Sequence, residues 1–208
     1  GDTAADYLLY SEHIPRRNDG RLSDGYMRSY RHLEDGGWWC SGLDPLNNWD
    51  DMLWGCFKPT TPRLNPVKNK IIKYEHPPLT PTRAFFLKVS TRIWQKIADK
   101  YGIEIGGYTQ FWKWVVDKNL PLTITEGAKK SAALLSCGIV AIGIPGIDSG
   151  ALKNLNKKEL RPELAIFATP KREISICFDQ DVKPSTIKNV TRARNTLGRL
   201  FRLHKCQV

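Results

Sequence analysis

Two short runs of β-branched and apolar residues, Leu122-Thr-Ile-Thr-Glu126-Gly127 and Ile174-Ser-Ile-Cys-Phe-Asp179-Gln-Asp181, each stop abruptly at acidic residues. A continuous run of this kind reads as a strand buried on both faces, the mark of a parallel sheet covered by helices. In open sheets of that class, ligands bind outside the carboxyl ends of the strands. The two runs therefore bring Glu126, Asp179 and Asp181 to the ligand-binding edge of one sheet. Three carboxylates there form a hard oxygen set, suited to Mg²⁺ or Mn²⁺. Asp-x-Asp places both side chains on one side of an extended segment, because side-chain direction has period two. In this arrangement Asp179 and Asp181 are metal ligands, and Glu126 is a general acid/base or bridging carboxylate. Taken singly, each also suits a turn, a helix N-cap or an exposed helix start.

The residues around these runs alternate between strand and helix signals. A strand over 122–125 leads to a helix over 128–137 ended by Gly138, then to a strand over 139–144 and a turn at Pro145-Gly146. A polar, Lys/Asn-rich helix or loop is expected near 151–161, a strand over 174–178 and a helix from about 185 to 203. This alternation predicts a parallel sheet with right-handed crossovers. Upstream, 83–89 reads as a strand. Ser90 or Thr91 then caps a helix through Tyr101, with Ile93, Trp94, Ile97, Ala98 and Tyr101 on one face and Gly102 as its stop. Residues 109–118 suit a further short helix. Residues 1–80 are rich in turn signals such as Arg16-Arg-Asn-Asp-Gly20 and Pro59-Thr-Thr-Pro62, with short strands between. The expected class is α/β, a parallel sheet with flanking helices preceded by a smaller, turn-rich α+β region. The division is 1–80, a strand–helix connector over 81–118, and a sheet domain over 119–208. His204-Lys-Cys-Gln-Val208 looks like a turn into another strand, so a domain incomplete at its C-terminus is expected.

Charge narrows the partner. The chain carries a formal net charge of +11, and seven Lys/Arg with no acidic residue lie between Val182 and Val208. Lys183, Lys188, Arg192, Arg199 and Arg202 are candidate phosphate contacts there, with nucleic acid favoured over membrane; a solvated helix face is the alternative. Lys129 and Lys130 sit in the first turn of a helix, where cations oppose its dipole by roughly 0.3–1 kcal/mol each. An anion at that N-terminus would offset the cost. Gly127 removes a Cβ where a phosphate would approach the backbone. No apolar run approaches the ~20 residues needed to cross a bilayer, and no signal peptide is visible at the start. Five scattered cysteines fit a reducing cytoplasm rather than a disulfide framework. His32, Cys40, Cys56 and His76 form a candidate Cys₂His₂ zinc set, though their spacing is unlike that of a compact knuckle. Trp38, Trp39 and Trp54 suit either base stacking or core packing. Arg16, Arg17 and Arg21 add positive charge nearby without defining a site.

The order strand–Glu-Gly–helix, strand, then strand–Asp-x-Asp–helix resembles the Toprim domain of bacterial primases, topoisomerases and related nucleases. Ile124-Thr-Glu-Gly-Ala-Lys-Lys-Ser-Ala-Ala-Leu-Leu135, Ala141-Ile-Gly-Ile-Pro-Gly146 and Ile176-Cys-Phe-Asp-Gln-Asp181 look like a Toprim-like family of unknown function found in large plasmid and phage replication proteins. Gly36-Gly-Trp-Trp-Cys40, Trp54-Gly-Cys-Phe-Lys-Pro59 and the stretch from Lys73 to Phe86 are also similar to plasmid replication proteins of this group. The resemblance implies DNA binding, a divalent ion held by Asp179 and Asp181 with Glu126 beside it, and a helicase-type domain in the same full-length chain. After Asp-x-Asp the chain continues Val182-Lys183-Pro184, where primase-type Toprim domains carry a further acidic or Gly-containing turn. Primer synthesis, nuclease-type cleavage and non-catalytic DNA recruitment all stay open at this level.

Overall fold

A computed structural model describes residues 3–65, 67, 69–154, 157–180 and 182–208. The chain divides into two units, residues 1–42 with 51–82, and residues 43–50 with 83–208.

In the first unit the elements are short because polar turn residues interrupt every apolar run. Helix α1 (Ala4–Leu8) opens where the backbone N–H of Thr3 donates to Asp6 Oδ2 at 2.7 Å. Helix α2 (Asp24–Ser29) and a 3₁₀ turn (Arg31–Asp35) precede strand β1 (Gly37–Cys40). Two minimal strands, β2 (Leu43–Asp44) and β3 (Asp50–Asp51), come next in the chain. Strand β4 (Cys56–Pro59) pairs antiparallel with β1, Trp39 opposite Phe57 and Cys40 opposite Cys56. β5 (Leu64–Asn65) pairs with β6 (Lys70–Ile71). The expected turns and short strands are present, but α1 and α2 were missed, since five or six residues are too few for a periodic signal. Leu8, Leu9, Ile14, Leu33 and Phe57 form the core of this unit, with Trp39, Tyr26 and Tyr30 packed against it.

The second unit holds the longer elements. Helix α3 (Thr91–Tyr101) begins where Ser90 Oγ accepts the Ile93 N–H at 3.4 Å, and stops at Gly102 in the left-handed region, φ +63°. Its start, stop and buried face of Trp94, Ile97 and Ala98 match the sequence reading. Helix α4 (Phe111–Asp117) also lies where expected. Strand β7 (Leu122–Glu126) then gives way to helix α5 (Ala128–Ser136) and strand β8 (Ala141–Ile144). β9 (Ala151–Asn154) and β10 (Lys157–Leu160) form an antiparallel ribbon, followed by the single turn α6 (Pro162–Ala165). Strand β11 (Ile174–Cys177) and helix α7 (Pro184–Leu203) complete the chain.

β11, β7 and β8 lie side by side in that order, all parallel. Leu122, Ile124, Ile142 and Ile144 are nearly fully buried, as strands covered on both faces require. β11, at the sheet edge, buries only Ile174 and leaves Ser175 and Cys177 exposed, against the expectation of a strand buried on both faces. Two further expectations fail. Where a helix or loop is expected near 151–161, the described residues Ala151–Asn154 and Lys157–Leu160 pair as the β9–β10 ribbon, and 83–89 makes a single antiparallel bridge, Phe85 to Gly143, instead of a strand. Ala84, Phe85 and Phe86 are buried in succession, which a strand with one solvated face does not allow. Phe86, Trp112 and Phe167 pack ring against ring at 5.4–6.0 Å between centroids.

Arg172, wholly buried, ties α4 to the sheet. Its guanidinium donates to the carbonyls of Val115, Val116 and Leu120 and to Asn119 Oδ1, at 2.8–3.3 Å. Positive charge thus meets the carbonyl end of a helix, where the macrodipole favours it. Burial pulls this guanidinium down to about 10.

Candidate functional site at the strand ends

The topology marks a candidate ligand site. From β7 the chain passes to β8 on one side, then crosses to β11 on the other, so the direction of winding reverses between β7 and β11. Connections leaving in opposite directions open a crevice at the carboxyl ends of the two strands. Cys177 is level with Thr125. Glu126 therefore ends β7 beside Phe178, and Asp179 follows one residue beyond. Sequence reasoning placed both carboxylates at strand ends, and the sheet puts those ends on adjacent strands, whose usual spacing is about 4.8 Å.

The backbone at this edge is tight. Gly127 joins β7 to α5 at φ +80°, ψ +155°, a conformation that strains any residue with a Cβ. No atom lies within 4 Å of where its Cβ would be, so the space beside it is open. Its N–H donates to the Ile144 carbonyl at 2.7 Å. Beneath it, a Cβ on Gly143 would meet the Gly127 carbonyl at 2.8 Å and Ser131 Oγ at 2.9 Å, so α5 rests directly on β8 at this point. Ser131 is buried with its hydroxyl donating to the Ala128 carbonyl at 2.9 Å. Sequence reasoning missed Gly143, although a glycine inside an apolar strand signals a close backbone approach.

Lys130, in the first turn of α5, forms an ion pair with Asp179 across the crevice; their side chains are 43% and 63% exposed. The lysine supplies there the positive charge that a cation would. A second pair flanks the site, Asp148 in the loop after β8 with Arg192 of α7, Oδ2 to Nη2 at 2.9 Å. That hydrogen bond holds the Arg192 guanidinium above its ordinary value. Asp148 was missed too, although it follows an apolar strand and a Pro-Gly turn much as Asp179 follows β11. Asp181 lies outside the described residues. Among the described residues no group of three or more His, Cys, Asp and Glu side chains is placed to hold a metal ion.

The remaining candidates are dispersed. Lys183 is the N-cap of α7, and Lys188 and Arg199 are exposed along it. Arg202 donates to the Val208 carbonyl at 3.1 Å, beside a groove lined by Ile176, Arg194, Asn195 and Gly198. Lys129 is exposed on α5.

In the first unit His32 engages Glu75 at 2.5 Å, while His76 stacks on Trp54 at 4.8 Å and sets its Nδ1 2.9 Å from the Gly55 carbonyl. Cys40 stands opposite Cys56 in the β1–β4 register, and no disulfide joins them. Trp54 is 3% exposed, so it belongs to the core and not to a base-stacking surface; Trp39 packs against Tyr7, and Trp38 is 43% exposed. Arg17 pairs with Asp24, Arg21 with Asp19, and Arg16 caps the Leu9 and Gly20 carbonyls. Among the described residues no helix is long and apolar enough to cross a membrane.

Comparison with known proteins finds a family match for one part of the chain. Residues 111–208, which include the whole parallel sheet and α7, match a domain family of unknown function, DUF3854. An uncharacterized protein of Picosynechococcus sp. is 48% identical over 212 residues, an alignment covering 97% of this chain and 21% of that protein. The chain therefore spans about a fifth of the length of this relative. No solved structure matches the chain.

Proposed function

We propose that the second unit is a Toprim-like module that binds nucleic acid and handles phosphate with a divalent ion, as part of a plasmid-type DNA replication protein. The observation that carries this reading is the placing of Glu126 and Asp179 at adjacent strand ends, in the crevice where the winding reverses. The donor set fits Mg²⁺ or Mn²⁺, which protein sites often hold through only one or two carboxylates, water and substrate phosphate completing the shell. Asp179 would hold the ion, with Asp181 as the second ligand of the sequence pattern and Glu126 beside them as the acid/base or bridging carboxylate. The ion, when bound, supplies Lewis-acid stabilisation of charge on phosphate oxygens. The chain's own residues do the rest. Glu126 takes or returns a proton, the open space at Gly127 lets a phosphate approach the start of α5, and Lys130 turns from Asp179 to the incoming anion. The basic face of α7 contributes sequence-independent attraction for a polyanion.

One observation favours a second reading. Because Lys130 already neutralises Asp179, the acidic edge also suits a DNA-recruitment module that needs no metal. A Mn²⁺ titration followed by electron paramagnetic resonance separates the two. The metal-dependent reading expects Mn²⁺ to bind the wild-type chain and to be lost in Asp179→Asn. Metal-independent DNA binding, with no Mn²⁺ bound to the folded chain, would sink it in favour of recruitment.

A further inference from the structure

The β9–β10 ribbon is built at odds with ordinary hairpin stability. Only its base is buried: Leu160 is 7% exposed, while Leu152, Lys153, Asn154, Lys157, Lys158 and Glu159 are all exposed. Lys153 stands directly opposite Lys158 in the antiparallel register. Like charges facing each other across two strands are destabilising, and an isolated two-stranded ribbon is marginal in water to begin with. Asn154 reaches Glu159 at 3.3 Å, yet none of Lys153, Lys157 and Lys158 has an ion-pair partner among the described residues.

What holds the ribbon is its foot. Arg161, 7% exposed, donates from Nε to the Ser149 carbonyl at 2.7 Å and from its backbone N–H to the Gly150 carbonyl at 3.1 Å. Gly150 sits so close to α7 that a Cβ there would lie 2.9 Å from Leu197 Cδ1. The ribbon is thus a cationic arm on a fixed base. It leaves the sheet from the loop after β8, at the same strand-end edge that carries Glu126 and Asp179, and that loop is pinned to α7 by Asp148 and Arg192.

From this placement we propose that the β9–β10 ribbon is an arm that grips duplex DNA, seating Lys153, Lys157 and Lys158 on backbone phosphates beside the strand-end site. The inference rests on the nucleic-acid reading above and names its form. Two observations select the duplex. Residues 151–160 contain no aromatic side chain, which proteins that hold single strands use to stack unpaired bases. A two-stranded ribbon also fits the roughly 12 Å width of the B-DNA major groove. Phosphates lying near Lys153 and Lys158 relieve the repulsion between them, so the device stores in the free protein what the partner releases. Lysines on an open strand edge also discourage aggregation, which is the competing account.

The test is fluorescence anisotropy with a duplex oligonucleotide across a salt series, using the wild-type chain and the triple variant Lys153→Ala/Lys157→Ala/Lys158→Ala. A control variant removes the same charge from α3 and α4: Lys100→Ala/Lys113→Ala/Lys118→Ala. Each phosphate contact contributes about 0.9 to the slope of log K against log salt, so the ribbon variant is expected to lose roughly 2 to 3 from that slope. The control is expected to lose much less. Equal losses in the two variants would make the effect one of net charge and overturn the arm. An unchanged slope with a newly aggregating ribbon variant would assign the lysines to edge protection. Tighter binding of single strands than of duplex would overturn the choice of partner. A wild-type chain that binds no nucleic acid would overturn the arm together with the function it rests on, whereas binding that ignores the ribbon overturns the arm alone.

Discussion

The first unit and the strand ends of the second treat a carboxylate in opposite ways. Glu75 is 4% exposed and closed in on every side, with Arg63 donating to both of its oxygens at 2.7–3.1 Å and His32 at 2.5 Å. Arg63 in turn lies 4.3 Å over the Tyr30 ring. Among the described residues Asp179 pairs with Lys130 alone, and its side chain is 63% exposed. A buried charge must have its whole hydrogen-bonding capacity met inside the fold, and once met it has nothing left to offer a ligand. An exposed charge held by one flexible partner adds little stability and is free to exchange that partner. Stability and availability therefore separate along the chain, and substitutions should sort by which of the two they touch.

The largest effect belongs to the closed class in the second unit. Arg172→Met removes the donor that gathers the α4 carbonyls and Asn119, and is expected to cost about 3–5 kcal/mol in urea unfolding. A loss under about 1 kcal/mol would show that water replaces the guanidinium, and that burial alone does not mark a closed site. Glu75→Ala comes next, at about 3 kcal/mol, because it strands Arg63 and His32 together. The variant should leave Mn²⁺ and DNA binding intact; a loss of either in a folded protein would break the separation.

The parts of this scheme that were legible beforehand share one property, a local signal strong enough to stand without its surroundings. Ser90 and Gly102 bracket α3 by capping chemistry, and the apolar runs of β7 and β8 announce burial on two faces, whereas β11 has the same composition but buries only Ile174. The acidic residues that end those runs were legible for the same reason. The β9–β10 ribbon was not, because its sequence is polar on both faces and what forms it is remote: Arg161 beneath, and Leu197 against Gly150. The segment 83–89 failed in the opposite direction, its β-like composition being satisfied by burial of Ala84, Phe85 and Phe86 with a single bridge, Phe85 to Gly143, in place of a strand ladder. Asp148 escaped because an acid four residues beyond a strand looks like any turn residue until the loop is seen to bring it to Arg192. Glu75, a lone acid among turn residues, gave no sign that Arg63 and His32 converge on it.

A smaller effect tests the closed class by pH. Burial against Trp54 holds the His76 pKa below its ordinary value of 6.5, outweighing the hydrogen bond to the Gly55 carbonyl that raises it. As pH falls below 6.5 the unfolded chain takes up this proton before the folded one does. The contribution of His76 is therefore complete above 6.5 and is lost as pH drops from there through the folded value. Urea midpoints at pH 7.5, 6.5 and 5.5 should fall more steeply for the wild type than for His76→Gln. Parallel curves would remove His76 from the closed class.

The smallest stability effect is expected where the ligand chemistry is assigned. Asp179→Asn keeps the shape of the side chain and removes one exposed charge, so its unfolding free energy should lie within about 0.5 kcal/mol of wild type. Lys130→Ala should behave alike, and the double variant should differ from the sum of the two by no more than a few tenths of a kcal/mol, the usual size of an exposed ion pair. Such a null result in stability is informative because the pair spans two elements that fix the crevice, α5 and the end of β11. If breaking it costs about 3 kcal/mol, as at Glu75, the strand-end carboxylate is part of the scaffold and Lys130 is its permanent partner. If it costs almost nothing, Lys130 is free to leave Asp179 for a phosphate, and the edge of the sheet remains open for the ion and the nucleic acid proposed to bind there.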